Sequence, residues 1–136
     1  MVNCGSPKAD FWVRVLVPPL VKIIIIDKQI NIEELRQMAK EGFGDFVKGV
    51  CDLEKEVLAL GGELHSDCYE MLIENGSQAG NVWGFNIFID LPKEKCLEFT
   101  SLINIRPNVD NRSMEIQSEK IKQKISKISE KIIVWS

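Results

Sequence analysis

One histidine in 136 residues leaves little imidazole chemistry available, and that residue, His65, stands alone in "LGGELHSD" (60–67). The four cysteines, Cys4, Cys51, Cys68 and Cys96, contain no C-x-x-C pair. So sparse a ligand supply argues against a zinc site, and neither a metal site nor a cofactor is expected. Cysteines this scattered suit reduced thiols packed as small hydrophobes in a cytoplasmic protein. No G-x-x-x-x-G-K-S/T, G-x-G-x-x-G or G-x-S-x-G occurs, so phosphate-loop and hydrolase-elbow chemistry lack a motif. No apolar run approaches the ~20 residues of a membrane-spanning helix. The N-terminal "FWVRVLVPPLVKIIII" is broken by Arg14, Pro18, Pro19 and Lys22 and precedes no small-residue cleavage site, which argues against a signal peptide.

What is present is an ordinary globular composition, 45% apolar and 27% charged, in a chain sized for one domain. The net charge of −3 gives no reason to expect nucleic-acid binding. Charge is unevenly placed: residues 106–131 carry Arg106, Arg112 and five lysines against Asp110, Glu115, Glu119 and Glu130, a local +3. That asymmetry can steer a partner, although salt screens it.

Residues 1–20 read as an N-terminal extension, with a strand at 11–17 before Pro18-Pro19, and residues 21–136 as a single α+β domain. "VKIIII" (21–26) predicts a strand buried on both faces. Asn31 is a helix cap with Glu33 and Glu34 in the first turn. From Ile32 through Leu35, Ala39, Phe46, Val50, Leu53 and Val57 to Leu60, three-and-four spacing predicts one long helix. Unbroken it would run about 45 Å, against a domain roughly 35–40 Å across. A bend is therefore expected at "GFG" (42–44), with Gly61-Gly62 ending the helix. Three strands follow, at 63–74, 82–90 and 96–106, as an antiparallel meander; from Asp67 onward the first can also be read as a short helix. Ser118 caps a C-terminal helix with Ile121, Ile125, Ile128 and Ile132 on one stripe and Lys120, Lys124, Lys127 and Lys131 on the next. The expected architecture is a meander sheet packed against a long bent N-terminal helix and a C-terminal helix.

Strand alternation then gathers candidate site residues. Trp83, Phe85, Ile87 and Ile89 share one face of 82–90, leaving Gly84 and Asn86 on the other. In 96–106 the polar face holds Asn104 and Arg106, and in the opening stretch Glu63, His65 and Asp67 share a face. Asparagine is depleted in strands, so Asn86 and Asn104 point to hydrogen-bonding work. Arg106 suits a carboxylate or phosphate, His65 proton transfer, and Gly84 close approach of a ligand. The plainer alternative is a solvated face whose polar groups bond neighbouring strands. The loop "RPNVDNRS" (106–113) adds Asn111 and Arg112 to a candidate anion site ahead of a helix, though its residues also suit a plain turn. Asp52 and Glu56, an i, i+4 pair, could join His65 and Asp67 around a hard metal, the simpler reading being an exposed helical face.

"EELRQMAKEGFGDFVKGVCDLEKEVLALGGELHSD", "ENGS", "VWGFNIF" and "LINIRP...NRS" resemble a family of small bacterial proteins known only as a domain of unknown function. The resemblance covers roughly residues 23–134 and implies no activity, cofactor or catalytic residue. It implies that the segment before Val21 is an addition, such as an upstream start codon would append. Three functional readings stand. The first is a binding or interaction domain holding an anionic small ligand or protein partner on the polar sheet face, through Asn86, Asn104, Arg106, Asn111 and Arg112. The second is a small enzyme using His65 and Asp67 as an acid–base pair, with or without metal. The third is weak nucleic-acid binding by the basic C-terminal helix. A homodimer is compatible with each.

Overall fold

A computed structural model describes residues 22–135. The strand predicted at 11–17 and the extension 1–20 lie outside the described residues. The chain begins with strand β1 (Ile23–Ile26), then β2 (Ile30–Asn31) and helix α1 (Ile32–Glu41). Asn31 caps α1 as expected: its Oδ1 accepts from the Glu33 N–H at 2.8 Å, and Glu34 accepts from the Asn31 N–H. Ile32, Leu35 and Ala39 are its buried residues.

The long bent helix is not formed. Helix α1 stops at Glu41, where the N–H groups of Gly42 and Gly44 both turn back to the Ala39 carbonyl. Residues 46–61 instead make a hairpin, β3 (Phe46–Asp52) and β4 (Val57–Gly61). Asp52 builds its turn, with Oδ1 accepting from the N–H of Glu54 at 2.9 Å and of Lys55 at 3.0 Å. Asp52 and Glu56 are therefore the two ends of a turn rather than neighbours on a helical face. The three-and-four spacing fits two short strands joined by four residues equally well, and β-branched Val47, Val50 and Val57 favour the strands.

Helix α2 (His65–Glu74) replaces the strand predicted at 63–74, so Gly61-Gly62 ends β4 rather than a helix. Then come β5 (Val82–Phe88), the short β6 (Leu97–Glu98), helix α3 (Glu119–Ile132) and β7 (Ile133–Val134). Ser118 caps α3 through the Ile121 N–H at 3.2 Å, as its position implies. The five-stranded antiparallel sheet has the order β1-β4-β3-β5-β6, with β3 central and paired to β5 along its whole length. It is not a meander, because α2 carries the chain past β3 before β5 pairs on the far side. A parallel β2–β7 pair, Ile30 opposite Ile133, ties the start of α1 to the end of α3.

Alternation along the strands makes two apolar layers. Val47, Cys51, Leu58, Leu60, Trp83, Phe85 and Ile87 face α1 and α3, meeting Leu35, Ala39, Ile125, Ile128 and Ile132. Ile23, Val50, Ala59 and Val82 face the other way and pack on Cys68 and Leu72 of α2. Cys51, Cys68 and Cys96 are free and buried, and burial pushes the Cys68 thiol up to about 12, which keeps it protonated and unreactive. No helix among the described residues is long and apolar enough to cross a membrane.

Candidate functional site

The predicted strand 96–106 pairs with β5 only through Leu97 and Glu98. It then turns aside: the Ser101 N–H donates to the Met114 carbonyl at 3.0 Å, and the Ile116 N–H to the Phe99 carbonyl at 2.9 Å. The next edge of β5 is completed by a side chain. Asn104, fully buried, accepts from the Gly84 N–H at 2.8 Å and donates Nδ2 to the Gly84 carbonyl at 2.9 Å. Its amide thus stands in for the peptide group of an absent strand. Nδ2 also reaches the Met114 carbonyl at 3.2 Å.

Asn111 continues this network. Its Nδ2 lies within bonding distance of the carbonyls of Asn104, Ser113 and Glu115, and its Oδ1 accepts from the Gln117 N–H at 2.8 Å. Both asparagines are engaged in ordering 98–117. Gly84 is needed for contact within the chain: a Cβ there would lie 2.7 Å from the Ser101 Cβ.

Arg106 is similarly occupied. Nε donates to the Ile103 carbonyl at 3.1 Å, Nη1 to that of Ala79 at 2.9 Å and Nη2 to that of Val82, with the guanidinium 4.4 Å from the Trp83 ring centroid. This clamps the loop to the start of β5, about 13 Å along the strand from Asn86. Arg112 is exposed and lies 3.7 Å from Asp110. Lysine has no planar fork to reproduce the clamp, so Arg106→Lys should cost about 2 kcal/mol, read as a lowered urea midpoint.

His65 and Asn86 do come together. Beyond the N-terminus of α2, the second sheet face is left uncovered as a groove of about 420 Å³. His65, Asn86, Lys48, Ser66, Thr100 and Ser101 supply its polar lining, with Leu64, Leu102, Ile103 and Met114 among its apolar walls. Leu64 is 56% and Leu102 71% exposed, an unusual outlay of apolar surface on one cleft. Leu64 provides no side-chain cap, so the first-turn amides of α2 have no side-chain acceptor. Lys48, whose Nζ rests 5.1 Å from the Phe43 centroid, makes no salt bridge among the described residues. Asn86 donates Nδ2 to Glu98 at 2.9 Å, while its Oδ1 is buried without a partner.

Residues 24–132 match the family described as Protein of unknown function (DUF5674). The chain belongs to this family. The DUF5674 match runs from within β1 to the last residue of α3, so every wall of the groove falls inside it. No curated protein and no solved structure matches the chain.

Within this DUF5674 chain, His65 reaches the Asn86 face from the first residue of α2, not from a strand. Its Nε2 lies 2.9 Å from the Phe85 carbonyl, which only accepts, so the neutral ring carries its proton there. Asp67 is not its orienter: residues i and i+2 project about 200° apart around a helix. Among the described residues no three His, Cys, Asp or Glu side chains converge as metal ligands.

Burial holds the His65 imidazole below its ordinary range. The Phe85 carbonyl, Asn86 and Glu98 oppose that shift, while Lys48 adds to it. Protonation therefore favours the unfolded chain. Stability contributed by His65 is complete above about 6.5 and is lost as pH falls from there toward the folded value. Melting temperature should drop between pH 7.5 and 5.5, and less so in His65→Gln, which retains a donor for Phe85.

Sequence reasoning missed Lys48, Ser66, Leu64, Leu102 and Met114. Lys48 was concealed by the helix reading, although a lysine between Val47 and Gly49 alternates as a strand residue does. Leu102 falls within the strand predicted at 96–106, whereas the 3₁₀ turn Leu102–Asn104 sets it at the groove rim.

Proposed function

We propose that the protein is a binding domain that holds an anionic small ligand in the groove between α2 and the Leu102 turn. The observation that carries this reading is the convergence of a helix start without a side-chain cap and the Lys48 ammonium within one apolar cleft. Lys48 is the one formal charge among the residues that line it. Arg106, Asn104 and Asn111 support the cleft by holding its far wall, and the anion contact passes to Lys48 and Ser66.

The test uses anilinonaphthalene sulfonate, an anion with an apolar body. Its fluorescence should rise on binding, and Lys48→Glu or Leu102→Glu should weaken binding at least tenfold. Equal binding by all three proteins removes the groove from the proposal.

A second reading, His65 as an acid–base group, draws on its neutral ring and pinned tautomer at the groove floor. There the Phe85 carbonyl, rather than Asp67, is the orienting group.

A further inference from the structure

Resting on that binding reading, the geometry points to a ligand class: a carboxylate with an apolar tail and a hydrogen-bond donor close to its head, as in a hydroxy fatty acid. Three features carry this, each specifying a different part of the ligand.

The head follows from charge. The amides at the start of α2, the Ser66 hydroxyl and the Lys48 ammonium all favour an anion, and the Glu98 carboxylate stands behind the lining, on the Asn86 amide, rather than in it. The tail follows from Leu64, Leu102, Ile103 and Met114, which line the same groove as that head site. A small hydrophilic anion would leave this wall wet, whereas an alkyl chain removes it from water.

The donor follows from Asn86, which is 8% exposed. Its amide orientation is fixed by chemistry. Nδ2 faces the Glu98 carboxylate at 2.9 Å and the Thr100 carbonyl at 3.4 Å, and both groups only accept. Oδ1 is therefore turned away from them, and it has no donor. Neutral His65 cannot serve it, having committed its single N–H to Phe85. A hydroxyl brought in by the ligand would satisfy a buried acceptor that is otherwise unpaired. An alkyl carboxylate without the hydroxyl would leave it so.

The experiment compares 3-hydroxydecanoate, decanoate and inorganic phosphate by calorimetry at pH 7.5, with the wild-type protein, Asn86→Leu, Asn86→Ser and Leu102→Glu. The hydroxy acid should bind about tenfold tighter than decanoate. Asn86→Leu should bring the two acids to equal affinity, and Asn86→Ser, a smaller change, guards against misfolding of the leucine variant. Leu102→Glu, at an exposed position, should weaken both acids. Equal affinity for the two acids, or a preference that survives both Asn86 variants, overturns the donor assignment. Phosphate binding as tightly as decanoate overturns the tail assignment but leaves the anion-binding function standing. Failure of all three probes, with anilinonaphthalene sulfonate also silent, removes both.

Discussion

Asn104→Ala should unfold at a markedly lower urea concentration, with a loss of about 4 kcal/mol. The substitution removes one side-chain amide and strands two backbone groups, the Gly84 N–H and the Gly84 carbonyl, while the Met114 carbonyl keeps its bond from the Ser101 N–H. Each buried orphan costs roughly 1–3 kcal/mol, and the Gly84 edge has no strand nearby to take over. Asn104→Asp separates this account from simple cavity formation. It keeps the volume and an acceptor for the Gly84 N–H, yet offers no donor to the Gly84 carbonyl and buries a charge. It should be about as damaging as alanine. Amide hydrogen exchange gives the local readout: Gly84 should be strongly protected in the wild type and exchange fast in both variants.

Gly61→Ala should be comparably severe, at about 4 kcal/mol, for a backbone reason. Gly61 ends β4 opposite Ile23 with φ +106°, a region that L side chains rarely adopt. A Cβ there would lie 2.0 Å from the Lys22 carbonyl oxygen, so β1 would have to move off the sheet. Its own carbonyl accepts from the Cys68 thiol at 3.2 Å, coupling this corner to the placement of α2. Gly62→Ala makes the control. Its φ is +77°, but its Cβ would meet the Ile23 side chain, which can yield, so a loss of about 2 kcal/mol is expected. Denaturant midpoints of the two variants should differ clearly, and Gly61→Ala alone should weaken ligand binding by displacing the start of α2.

The features legible in the sequence were those where one local rule acts alone. The alternation of 82–88 placed Trp83, Phe85 and Ile87 on one face and Asn86 on the other, as found. Asn31 and Ser118 cap the helices they were expected to cap. The failures arose where two periodicities coincide. Phe46, Val50, Leu53, Val57 and Leu60 satisfy a helical stripe, yet Asp52 folds the chain between them into a turn. That error relocated Asp52, Glu56 and Lys48 together, because a strand sends Lys48 to the groove face.

The asparagines show a different limit. Their presence in an apparent strand correctly signalled hydrogen-bonding work, but residue type does not say whether the partner is a ligand or the chain's own backbone. For Asn104 and Asn111 it is the backbone; for Asn86 it is the Glu98 carboxylate and the Thr100 carbonyl on one side, with a buried, unpaired oxygen on the other. His65 arrived beside Asn86 by a route the sequence did not reveal, since the first residue of a helix can lean over a strand as well as a strand neighbour can.

The central claim, that the uncovered second face of the sheet is a ligand site, is tested most directly by titrating ¹⁵N-labelled protein with decanoate and following its ¹H–¹⁵N correlation spectrum. The account predicts saturable shifts concentrated at Lys48, His65, Ser66, Asn86 and Leu102, with the lysine face of α3 unmoved. Shifts confined to Lys120, Lys124 and Lys127, or none at millimolar decanoate, would contradict it.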